Sequence, residues 1–265
     1  MINNHEIDYR IYGEEMQCVE VELDPNETVI AESGSFMMME DGIEMSTIFG
    51  DGSKNTGSSI LDKLWGAGKR LLTGESLFMT AFTNVGVGKK QVSFAAPYSG
   101  KIVPVDLSEM GNRLICQKDA FLCAAKGVSI GIELQKRLGT GLFGGEGFIM
   151  QKLEGDGMAF LHAGGYIMKK DLRPGETLKV DTGCVVAYTK DVSFDIEFVK
   201  GIKNVIFGGE GLFFAHLRGP GSVWLQTLPV SRLASRILTY GGGRRKGEGS
   251  ILGGIGNLLD GDGFN

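Results

Sequence analysis

The 265-residue chain has a net charge of −5, with 42% hydrophobic and 22% charged residues. That balance fits a globular protein with ample core and argues against a nucleic-acid binder relying on a basic surface. The 42 glycines, set against 6 prolines and without a collagen-like period, read as turns and bulges between many short strands.

The first residues, Met1-Ile2-Asn3-Asn4-His5-Glu6, show neither the basic start nor the apolar stretch of a signal peptide. No run of 18 apolar residues occurs, so no membrane-spanning helix is predicted. The cysteines, Cys18, Cys116, Cys123 and Cys184, lack zinc-site spacing. The expected setting is the reducing cytoplasm.

Taken in order, the chain reads as three units, about 23–99, 107–165 and 172–229, within one all-β domain covering 1–240. The stretch Leu23-Asp24-Pro25-Asn26-Glu27-Thr28 recurs as Leu172-Arg173-Pro174-Gly175-Glu176-Thr177, 149 residues later, and the same offset relates Gly34 to Gly183. Next comes an insert of about 14 residues before Glu75, measured against the later units. Ile60, Leu61, Leu64, Trp65, Leu71 and Leu72 form one stripe of it, with Asp62, Lys63, Lys69 and Arg70 opposite. The spacing predicts an amphipathic helix. Gly66 and Gly68 weaken it by roughly 1 kcal/mol each, so a tertiary or external surface must hold it.

The second and third units share an offset of 64. Lys126-Gly-Val-Ser-Ile-Gly-Ile-Glu lies over Lys190-Asp-Val-Ser-Phe-Asp-Ile-Glu, and Phe143-Gly144-Gly145-Glu146-Gly147 over Phe207-Gly208-Gly209-Glu210-Gly211. A weaker copy of this phrase runs from Thr73 through Glu75 to Met79. Val128, Ile130, Ile132 and Leu134 alternate with small or polar residues, as do Val192, Phe194, Ile196 and Phe198. This period of two marks half-buried strands. Asn84–Gly88, Gly155-Asp156-Gly157 and Gly219-Pro220-Gly221 read as hairpin turns. Ser231–Leu238 is predicted to be a short helix. A flexible Gly-rich tail with basic and apolar parts follows over 241–265.

The Leu-x-Pro-x-Glu-Thr stretch, Lys69-Arg70 with Thr73-Gly74-Glu75-Ser76-Leu77-Phe78, and the twin Phe-Gly-Gly-Glu-Gly phrases carry a family resemblance over residues 1–240. The chain resembles the bacterial branch of the altered-inheritance-of-mitochondria family. This implies a fold similar to the tryptophan RNA-binding attenuation protein, a pseudo-threefold sandwich or barrel of facing antiparallel sheets. It also implies assembly into homo-oligomers, with a trimer as the guess. The mitochondrial members are associated with inner-membrane organisation, and the resemblance implies no catalytic reaction.

The residues themselves offer few chemical constellations. The glycine phrases lead into strands and lack Gly-Lys-Ser/Thr, so they read as turns rather than phosphate loops. Glu75, Glu146 and Glu210 occupy equivalent positions. They either converge to bind a hard cation or each accept backbone N–H bonds in their own turns. His5, His162 and His216 are not equivalent, and no Gly-x-Ser-x-Gly elbow is present. Cys123 and Cys184 read as small buried hydrophobes.

The expectation is a non-enzymatic oligomeric scaffold or interaction protein without cofactor or resident metal. It contacts a protein partner or an anionic membrane surface through Ile60, Leu61, Leu64, Trp65, Lys69, Arg70, Leu71 and Leu72, reinforced by the tail. No duplex nucleic acid is expected. The alternative is a module binding a small molecule or nucleic acid in grooves between strands or subunits.

Overall fold

A computed structural model describes residues 6–32, 34–49, 78–136, 148–198 and 213–242. The protein is all-β, with one α-helix and two single-turn 3-10 helices among the described residues. Its strands are β1 (Asp8–Tyr12), β2 (Cys18–Leu23), β3 (Thr28–Glu32), β4 (Phe36–Met39), β5 (Ile43–Phe49), β6 (Phe78–Asn84) and β7 (Lys90–Ala95). They continue as β8 (Gly100–Asp106), β9 (Arg113–Gln117), β10 (Phe121–Ala125), β11 (Ser129–Lys136), β12 (Phe148–Glu154) and β13 (Met158–Gly164). The last are β14 (Ile167–Leu172), β15 (Thr177–Asp181), β16 (Val185–Thr189), β17 (Ser193–Phe198), β18 (Phe213–Arg218) and β19 (Gly221–Gln226).

The strands form four antiparallel sheets. The first has the order β1-β2-β7-β4, the second β5-β6-β3-β10-β13-β8, the third β11-β12-β9-β16-β19-β14 and the fourth β15-β18-β17. Three apolar layers hold them together. Val19, Val21, Val92 and Phe94 of the first sheet pack on Val29, Phe82, Leu122 and Phe160 of the second. The other face of the second sheet, through Ile30, Ala124, Ala159 and Leu161, packs on Leu114, Cys116, Ala187 and Trp224 of the third. The far face of the third, through Ile115, Met150, Tyr188 and Val223, packs on Ala215 and Leu217 of the fourth.

Sequence pattern follows this layering. In β2, Cys-Val-Glu-Val-Glu-Leu alternates strictly, with Val19, Val21 and Leu23 buried and the intervening residues half-exposed. In β10, Phe-Leu-Cys-Ala-Ala is buried along its whole length, because layers cover both faces of its sheet. A strand covered on both faces reads as a continuous apolar run instead of an alternation.

The glycine-marked connections depart from the hairpins expected at 84–88, 155–157 and 219–221. Each instead carries the chain from one sheet to its neighbour: β6 to β7, β12 to β13 and β18 to β19. A hairpin and a sheet-crossing arch place the same turn residues between the same alternating runs, so local pattern does not separate them. The close antiparallel pairs are β5·β6, β11·β12 and β17·β18.

The repeated Leu-x-Pro-x-Glu-Thr stretch builds the same turn twice. Asn26 and Gly175 adopt φ of 72° and 82° at the position after proline, a left-handed value that asparagine and glycine tolerate best. The Glu27 carboxylate accepts from the Asp24 backbone N–H at 2.8 Å, and the Glu176 carboxylate from that of Arg173 at 2.9 Å.

The chain divides into two compact units, Met1–Pro229 and Val230–Asn265; the sequence reading placed this boundary at 240. In the second unit, α1 spans Val230–Gly242, longer at both ends than the predicted 231–238. Val230, Leu233 and Ile237 recur at helical spacing, and Ile237 is exposed.

Candidate interaction surface

Every contact residue singled out in the sequence lies outside the described residues. Ile60, Leu61, Leu64, Trp65, Lys69, Arg70, Leu71 and Leu72 fall within 50–77, as does Glu75. Glu146 falls within 137–147 and Glu210 within 199–212. The three segments occupy corresponding places in the topology, between β5 and β6, β11 and β12, and β17 and β18. The 241–265 tail is described only at its first two residues, which end α1.

The histidines stand apart. His162 on β13 is 1% exposed and lies edge-on to the Tyr98 ring at 4.4 Å. Burial lowers its pKa to about 4, so it stays neutral at physiological pH. His216 on β18 meets the Glu197 carboxylate at 2.7 Å on the surface, and Lys179 reaches the same carboxylate at 2.9 Å. These bonds hold the Glu197 carboxyl below the usual range. Cys116 and Cys123 are buried, and burial pushes their thiols up and away from reactivity. Cys184 is half-buried, less covered than the sequence reading expected. Among the described residues, no group of three His, Cys, Asp or Glu is placed to hold a metal ion. None of the described helices is long and apolar enough to cross a membrane.

The feature that stands out is a strand edge. Adding six to every strand number of the second sheet reproduces the order of the third. The same step maps β5-β6-β3 onto β17-β18-β15 through the third sheet, and maps β4-β7-β2 onto the second half of the second sheet. Strands β10 and β16 are therefore the counterparts of β4. Both lie inside their sheets, bonded on two sides. Each of the three has a bulge at the matching place, between Phe36 and Met38, Phe121 and Cys123, and Val185 and Ala187. A bulge bends a strand and leaves one residue unpaired, so its placement fixes the alignment of the three strands.

Strand β4 alone of these three ends a sheet, pairing with β7 and with nothing beyond it among the described residues. Its side chains Phe36, Met37, Met38 and Met39 are 41, 51, 50 and 38% exposed. Their counterparts in β10 are buried throughout. At the other end, β15 corresponds to β3 and β9, which are interior, yet it pairs only with β18 among the described residues. Sequence reasoning passed over β4, although four consecutive apolar residues, Phe36-Met37-Met38-Met39, stand 149 positions before the buried run Val185-Val186-Ala187-Tyr188.

Residues 9–228 match the model of the family described as Mitochondrial biogenesis AIM24. The chain belongs to that family. A relative from Streptococcus pyogenes serotype M6, described as an uncharacterized protein, is 32% identical over 225 residues, covering 84% of this chain and 86% of its own. The crystal structure of another Streptococcus pyogenes protein aligns with a TM-score of 0.68 at 24% identity, covering 89% of this chain and all of that one. That likeness is one of fold alone and carries no activity with it.

Proposed function

We propose that this AIM24-family protein is a non-catalytic oligomeric scaffold, built from three like units of six strands in the manner of the tryptophan RNA-binding attenuation protein. The units run β2–β7, β8–β13 and β14–β19. What supports the threefold reading is the recurrence of sheet order and of the strand bulge at one alignment. The observation that carries the scaffold reading is the exposed apolar edge at Phe36–Met39, against buried counterparts in the rest of the fold. An apolar sheet edge left in water invites pairing with another chain, and proteins that remain monomeric usually block such edges with charge or cover.

Multi-angle light scattering of the full chain tests the reading. A mass that is a whole multiple of 28.5 kDa is expected, and a monomer at micromolar concentration would refute it. A peripheral contact with anionic membranes through residues 58–72 and the C-terminal tail is a separate part of the proposal, resting on the basic and apolar pattern of those segments. Cosedimentation with phosphatidylserine vesicles at low salt tests that part, and an unbound full-length chain would rule it out.

A further inference from the structure

Resting on the oligomer reading above, the geometry points to a specific junction: β4 of one copy pairs antiparallel with β15 of a second copy, Met38 opposite Val180. Two junctions inside the chain supply the pattern. Where β10 meets β3, Cys123 lies opposite Ala31, Ala124 opposite Ile30 and Ala125 opposite Val29. Where β16 meets β9, Ala187 lies opposite Cys116, Tyr188 opposite Ile115 and Thr189 opposite Leu114. Carried to β4 and β15 by the offsets of 64 and 149, both junctions give one register. Met38 faces Val180, Met39 faces Lys179, and Glu40 faces Leu178.

Two independent junctions agreeing on one register is the main support, because a slip of one residue would turn every side chain to the wrong face. The chemistry agrees with it. Leu178 and Val180 already pack into the layer between the third and fourth sheets, so the partner strand extends an existing apolar surface. The four half-exposed side chains of β4 would gain the cover that Phe121–Ala124 have in the second sheet. Within one chain the two edges are not paired to each other. The register shared by the two internal junctions makes a second copy the fitting occupant, and the two different edges make the contact head-to-tail, a mode that closes into a ring or extends as a filament.

Disulfide trapping in the full chain tests the junction, with half-buried Cys18 and Cys184 replaced by serine to remove background thiols. Directly opposed antiparallel residues have Cα atoms about 4.5–5.5 Å apart, within disulfide range. Coexpressed Met38→Cys and Val180→Cys chains, differently tagged and oxidised, are expected to yield a covalent dimer on a non-reducing gel. Neither variant alone should do so, and the double variant should give species larger than a dimer or a closed ring. Self-linking of Met38→Cys, or linkage of the double variant within a single monomer, would overturn the junction. Absence of any link in a protein that light scattering shows to be oligomeric would overturn the junction while leaving the scaffold reading in place. A monomer by light scattering would overturn both. As a second variant, Met38→Lys should at least halve the assembled fraction at micromolar concentration with an unchanged circular dichroism spectrum. An unaltered assembled fraction would count against the edge.

Discussion

At the residue scale, much of the fold hangs on a few buried polar side chains that close the connections between sheets. Asn84, fully buried, donates to the carbonyls of Leu23 and Gly88, each at 2.8 Å, and accepts from the Gly86 N–H at 2.9 Å. It ties the end of β2, the end of β6 and the start of β7 into one corner. Asn84→Ala removes three hydrogen bonds, while the Gly86 N–H keeps a second acceptor, the Gly42 carbonyl at 3.1 Å, and urea denaturation should show a loss of about 2–3 kcal/mol. Gln226 has a similar role, accepting from Gly164 N–H and donating to the Gly183 carbonyl. Gly164 has no room for a side chain, since a Cβ there would strike the Leu228 carbonyl. Gly164→Ala should cost about 1–3 kcal/mol on the same assay.

His162 makes stability depend on pH. Its folded pKa is about 4 against 6.5 for the free side chain. Between those values the unfolded chain binds more protons than the folded one, so stability is complete above about 6.5 and falls as pH drops toward 4. The loss from this group reaches on the order of 3 kcal/mol at most. Urea midpoints at pH 7 and pH 5 should differ for the unaltered protein, and His162→Leu should narrow that difference.

At the element scale, strands that are covered on one face were legible and edges were not. The alternation at Val128, Ile130, Ile132 and Leu134 predicts β11, and that at Val192, Phe194, Ile196 and Phe198 predicts β17. The Leu-x-Pro-x-Glu-Thr stretch is legible as a repeat, and its two copies build turns of one geometry. The glycine connections mislead, because the residues of a turn specify its dihedrals but not the sheet that receives the next strand. The edge at Phe36–Met39 escapes notice for a related reason. Its composition is that of an interior strand, like Phe121–Ala125, and only the strand order shows that no strand pairs with its far side among the described residues. In the proposed assembly one edge interaction would recur at every contact between copies, so changing a second side chain should add to the first. Met37→Lys combined with Met38→Lys should assemble less than Met38→Lys alone by light scattering.

At the scale of the whole molecule, two half-sheets lie at the ends of the series, packed on two complete six-stranded sheets. The proposed association through their edges would couple folding to concentration, since anything that binds only the native state stabilises it by mass action. The thermal midpoint should therefore rise with protein concentration, and a midpoint that stays constant over a hundredfold range would contradict the scaffold reading.

The sequence by itself determined where the alternating strands and the glycine-marked turns fall, because side-chain period and turn residues are local properties of the chain. It also carried the spacing that aligns Leu23–Thr28 with Leu172–Thr177 and Val128–Leu134 with Val192–Phe198. Only the tertiary structure decided which sheet each strand enters and which edges stay open. The reason is physical: sheet pairing uses backbone N–H and C=O groups that are nearly the same at every residue. The side chains of β4 record that it can be buried, but not that it ends its sheet among the described residues.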